Sequence, residues 1–98
     1  MAIDRGVLAI LEAQVGKGEE LEALLLQARA LAAAEEGTVT WYAFRLGETT
    51  YGIFDTFTGE DARQAHLGGQ IPAALGEVGQ RLLATDPDIQ LVDVLAVK

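Results

Sequence analysis

The stretch Tyr51-Gly-Ile-Phe-Asp-Thr-Phe-Thr-Gly-Glu-Asp-Ala-Arg-Gln-Ala-His66-Leu67 decides how this chain folds, because in it an apolar strand runs straight into a helix. Thr50 to Phe57 is rich in β-branched and aromatic residues, as a half-buried strand requires. Thr58, followed three residues later by Asp61, has the form of a capping box and predicts a helix carrying Ala62, Ala65 and His66. His66 is the single histidine of the chain. Asp55 and Phe57 share one face of the strand at period two, and His66 follows just over two helical turns beyond the cap. All three can therefore border one cavity between helix and sheet.

Upstream, Gly47-Glu48-Thr49 is a short turn, and Thr38 to Leu46 before it reads as a strand, so the two form a hairpin. Gly6 to Val15 is apolar on both parities until Glu12 and Gln14, which predicts a central strand covered on both faces. Gly16-Lys17-Gly18 breaks it. Glu19, Glu20 and Glu22 then supply negative charge to the first turn of a helix, where the macrodipole favours it. Leu21, Leu24, Leu25, Ala28, Leu31 and Ala32 form its apolar stripe, and Gly37 is the expected left-handed stop. Downstream, Gly68-Gly69 interrupts the second helix, Pro72 suits the first turn of its resumption, and Leu75, Val78, Leu82 and Leu83 give its apolar face. Asp86-Pro87 ends it, and Ile89 to Val97 is the last strand.

The order strand, helix, strand, strand, helix, strand over residues 1–98 predicts a single α+β domain of ferredoxin-like βαββαβ type, with a four-stranded antiparallel sheet and its helices on one face. Leu8, Ile10, Val92 and Val94 lie on the parity opposite to Val7, Leu11, Leu91 and Leu95, and one layer of helices cannot bury both sets. A second copy of the chain, sheet against sheet, is the economical cover. A homodimer forming a barrel-like α+β sandwich is expected.

Composition narrows the chemistry. Seven basic against fifteen acidic residues give a net charge of −8, which repels phosphate backbones and anionic lipid, so neither nucleic acid nor membrane is expected as a partner. No apolar run approaches the roughly 20 residues of a membrane span, and the first residues lack a signal-like core. With no cysteine, nothing calls for an oxidising compartment, and a cytoplasmic location is expected. One histidine and scattered carboxylates predict no metal site, and the glycines lack the spacing of a phosphate loop or dinucleotide fingerprint, so no cofactor is expected.

Three segments together resemble the antibiotic biosynthesis monooxygenase family of the dimeric α+β barrel superfamily, which includes quinol monooxygenase-like proteins. They are the Val15-Gly-Lys-Gly-Glu-Glu-Leu21 turn, the Glu36-Gly-Thr-Val-Thr-Trp41 lead-in to the second strand, and Ile53 through Leu67. In that resemblance His66 matches a frequent helix histidine and Trp41 a usual aromatic. Asp55 stands where glutamate is common, and Phe57 replaces a frequent tryptophan. The chain contains no asparagine, the residue that the haem-degrading branch uses beside its haem.

The resemblance implies cofactor-independent oxygenation of a small aromatic phenol or quinol, with His66 as base, Asp55 orienting it, Trp41 and Phe57 stacking on the ring, and Arg45 facing the substrate anion. Membership of a fold does not carry a reaction. The rival expectation is a non-catalytic dimer that binds a small hydrophobic molecule or is associated with stress. For the residues themselves two readings stay open. Asp55 in an apolar strand needs a partner, for which His66 and Arg45 are the candidates, and such a pair serves either catalysis or simple tethering of helix to strand.

Overall fold

The computed structural model describes residues 2–98 and contains β1 (Arg5–Glu12), α1 (Gly18–Ala34), β2 (Thr38–Arg45), β3 (Thr50–Phe57), α2 (Glu60–Leu67), α3 (Gln70–Leu82) and β4 (Asp88–Asp93). The strands form one antiparallel sheet in the order β2-β3-β1-β4. This is the expected βαββαβ topology, with the second helical segment split in two at Gly68-Gly69.

Strand periodicity sorts the side chains onto two faces. Val7, Ala9 and Leu11 of β1 and Tyr51, Ile53, Asp55 and Phe57 of β3 are buried beneath the helices. α1 lays Leu21, Leu25, Ala28 and Ala32 on that face, as its stripe predicts, and α3 adds Ile71 and Leu75. Burying each leucine or isoleucine contributes about 1.5–3 kcal/mol. The opposite face carries Leu8, Ile10, Phe44, Phe54 and Val92, all half-buried, and Tyr42, which is 59% exposed. Among the described residues no helix or loop covers it.

Three local expectations are corrected. The capping box at Thr58 does not form. Gly59, at φ 93°, is the N-cap of α2, and its N–H donates to Oδ1 of Asp4 at 2.8 Å. Moving the cap one residue along destroys the Thr58–Asp61 spacing, and a carboxylate from the start of the chain does the capping instead. Gly37 is not a left-handed stop either, because the positive-φ glycines among the described residues are Gly16 and Gly59. α1 ends at an extended Glu35 whose N–H returns to the carbonyl of Ala32. Last, β4 stops at Asp93 rather than Val97, because Arg5, its register partner, is the first residue of β1. Val94 still donates to the carbonyl of Asp4, whereas Leu95 and Val97 are exposed.

Candidate active site

Asp55 sits in the middle of the sheet, opposite Val7 of β1 and Trp41 of β2, and its side chain is 1% exposed. A carboxylate buried among apolar residues needs a partner. The partner is His66, which α2 presents from above. Nε2 of its ring lies 2.9 Å from Oδ2 of Asp55. On the other side of the ring, Nδ1 lies 2.7 Å from Oε1 of Glu35, the residue that closes α1. The hydroxyl of Thr38 donates to the same Glu35 oxygen at 2.7 Å. Phe57, fully buried, leans against the imidazole with ring centroids 5.2 Å apart.

The ring thus stands between two carboxylates. An ionised carboxylate only accepts hydrogen bonds, so each ring nitrogen meets its partner as a donor, and a ring that donates from both nitrogens is the charged imidazolium. Burial pushes the His66 pKa down, but the hydrogen bonds to Asp55 and then Glu35, with their charges, outweigh it and hold the pKa above its ordinary 6.5. Oδ1 of Asp55, by contrast, is buried and has no hydrogen-bond partner among the described residues. It is an acceptor without a donor.

A cavity of about 300 Å³, to which Asp55 contributes, lies between the sheet and the α2–α3 segment. Among the described residues that line it, Asp55 and His66 are the only polar side chains; Val7, Ile53, Ile71 and Leu75 are among the rest. Pro87 and Ile89 line it from the β4 side, where Ile89 is 47% exposed, so the cavity reaches the surface along that edge. Such a space suits a small, largely apolar molecule with one polar end. Among the described residues no cluster of three or more histidine, cysteine, aspartate or glutamate side chains is placed to hold a metal ion, and no helix is long and apolar enough to cross a membrane.

Of the residues expected from sequence, Asp55 and His66 come together on one cavity, and Phe57 supports the imidazole without lining that cavity. Trp41, half-buried against the core, is the cross-strand neighbour of Asp55 and also does not line it; its indole N–H is buried without a partner among the described residues. Arg45 does not join the site. Its register partner is Tyr51, four residues along β3 from Asp55, or about 13 Å at the rise of a strand. There its guanidinium donates to the carbonyl of Gly47 and lies over the Tyr51 ring. Of the two candidate partners for Asp55, the structure pairs it with His66. Glu35 was not foreseen. In sequence it is one more acidic residue after an amphipathic helix, 31 positions from the histidine it meets.

No protein-family model and no curated protein matches this chain. Solved structures do. A protein of unknown function from Nitrosomonas europaea is 43% identical, with a TM-score of 0.96 over 98% of this chain and 93% of its own. A protein from Caulobacter crescentus named as a putative antibiotic biosynthesis monooxygenase is 27% identical, with a TM-score of 0.81 over 96% of this chain and 92% of its own. A second Nitrosomonas europaea protein of the same name, only 9% identical, shares the fold with a TM-score of 0.83 over 97% of this chain and 93% of its own. The βαββαβ sheet with helices on one face, the two-way identity and the resemblance carried by residues 15–21, 36–41 and 53–67 agree: this chain belongs to the antibiotic biosynthesis monooxygenase-like family.

Proposed function

We propose that the protein is a cofactor-independent monooxygenase acting on a small phenol or quinol in the cavity between sheet and helices. One observation carries this reading: Asp55, whose buried Oδ1 has no donor among the described residues, lines an otherwise apolar cavity as a carboxylate that can accept a hydroxyl proton. A phenol fits that demand with one polar group and an apolar ring. Asp55 takes the proton, a role that the doubly engaged ring of His66 is not free to fill. His66 holds Asp55 in place through Nε2 while the phenolate forms. The phenolate is electron-rich enough to reduce dioxygen. One oxygen atom ends on the ring as a carbonyl, the other leaves as water, and the substrate supplies all the electrons. Trp41 and Phe57 then shape the site from behind Asp55 and His66 rather than by stacking on the substrate.

The same reading includes a homodimer. Tyr42, Phe44, Phe54, Leu8 and Ile10 form an apolar sheet face that no other described residue covers, and a twofold copy covers both faces at once.

The test is oxygen consumption by metal-free protein over a panel of phenols and quinols, with Asp55→Asn beside it. Oxygen uptake with quinone formation, reduced by about 10²-fold or more in the variant, is expected. Binding of the same phenols without oxygen uptake would instead identify a sequestering protein, and equal rates in both proteins would remove Asp55 from the reaction.

A further inference from the structure

We infer that Glu35 is the proton port of this site: the carboxylate through which the buried His66–Asp55 pair exchanges protons with solvent, on the side away from the apolar cavity. The inference rests on the reading of Asp55 as proton acceptor. His66 is a wall shared by two hollows. One is the apolar cavity, to which Asp55 contributes, and the other is an outer cleft of about 360 Å³ edged by Glu35, Glu36, Thr38 and Gln70. Asp55 borders only the inner space and Glu35 only the outer one. Side-chain exposure rises along the same line, from 1% at Asp55 through 6% at His66 to 23% at Glu35.

An apolar cavity filled by an aromatic ligand gives a proton no path through water. The chain of contacts at 2.9 and 2.7 Å gives it one. When the substrate hydroxyl protonates Oδ1 of Asp55, the His66 imidazolium passes its Nδ1 proton to Oε1 of Glu35, which releases it to water in the cleft. Asp55, His66 and Glu35 then hold a single net negative charge, as they did before. The path runs in reverse when the oxygen leaving as water needs its proton. From β2 the Thr38 hydroxyl, donating to Oε1, fixes the Glu35 carboxylate in line with the ring. Glu36 and Gln70 edge the cleft without a hydrogen bond to His66, and among the described residues neither hollow is lined by a cation other than His66.

Because His66 is the single histidine, its ring nitrogens and their protons can be followed by NMR in the intact, substrate-free protein. In Glu35→Gln the ring should titrate about one pH unit lower, the effect expected on removing one adjacent opposite charge, and its N–H protons should exchange with solvent more slowly. Glu36→Gln, in the same cleft, should change neither. Glu35→Asp, which keeps the charge, should recover most of the wild-type exchange rate, and formate added to Glu35→Ala should restore exchange through the opened cleft. Wild-type exchange in Glu35→Gln, or no recovery by both Glu35→Asp and formate, would overturn the port. These readouts need no substrate, so they stand even if the protein oxidises no phenol. With a working substrate, turnover should also fall by about tenfold or more in Glu35→Gln.

Discussion

At the scale of single residues, the site is a charge sandwich in which each member depends on the next. Removing His66 leaves Asp55 and Glu35 facing each other across a void. Buried pairs broken from one side cost about 3–5 kcal/mol, so His66→Ala should melt markedly earlier than wild type as well as lose activity; a wild-type melting temperature would show that the imidazolium carries no structural weight. The pH dependence follows from the direction of the His66 shift. Its folded pKa lies above the unfolded 6.5, so the charged ring stabilises the fold fully below about 6.5, and that contribution fades as pH rises through the folded pKa. Thermal unfolding should therefore show stability falling as pH rises above about 6.5, and His66→Gln, which cannot titrate, should lose that slope.

Among the elements, α2 is the one on which the site hangs, and it is anchored by more than its apolar contacts. Arg63, 6% exposed, donates through Nη1 to the carbonyls of Gly6 in β1 and Val92 in β4, while its Nε meets Glu60. Hydrogen bonds from Arg63 and then Gln64 hold the Glu60 carboxyl down at about 2. Arg63→Ala removes two hydrogen bonds that tie α2 to the end of the sheet and frees the first turn of α2. A loss of about 1–3 kcal/mol in denaturant unfolding is expected, with the midpoint moving and the slope unchanged. The hairpin has its own constraint: Phe44 of β2 lies across Gly52 of β3, where any Cβ would meet the ring. Gly52→Ala should force Phe44 outward and destabilise the fold by about 1–3 kcal/mol.

For the whole molecule, the consequential feature is the uncovered sheet face. A chain of 98 residues has a modest core, and a second apolar face left in water would add to the cost of standing alone. Light scattering at micromolar concentration should give twice the mass of one chain. Tyr42→Glu with Ile10→Glu, both on that face, should yield monomers that unfold earlier; a wild-type protein that scatters as a monomer would refute the face-to-face pairing.

Element order, the β3–α2 joint and the stripe on α1 were legible in the chain because each rests on interactions within a few residues: alternation along a strand, i to i+4 contacts along a helix, glycines at breaks. The split of β1 into a helix-facing set, Val7, Ala9 and Leu11, and an opposite set, Leu8 and Ile10, follows from the same period. Asp55 stood out as a carboxylate in an apolar strand, and His66 as its one titratable neighbour near neutrality. What lay beyond local pattern came from chain segments far apart in sequence. Asp4 capping α2, Glu35 closing on His66, and Arg45 held at Gly47 and Tyr51 instead of the cavity all depend on strand register and on where α1 ends. Residue types and spacing do not encode those distances, because a hydrogen bond across 31 or 55 positions is set by packing of the sheet and helices between its partners. The double engagement of His66 has the same origin: the second carboxylate, which meets Nδ1 while Asp55 meets Nε2, is brought in by the fold.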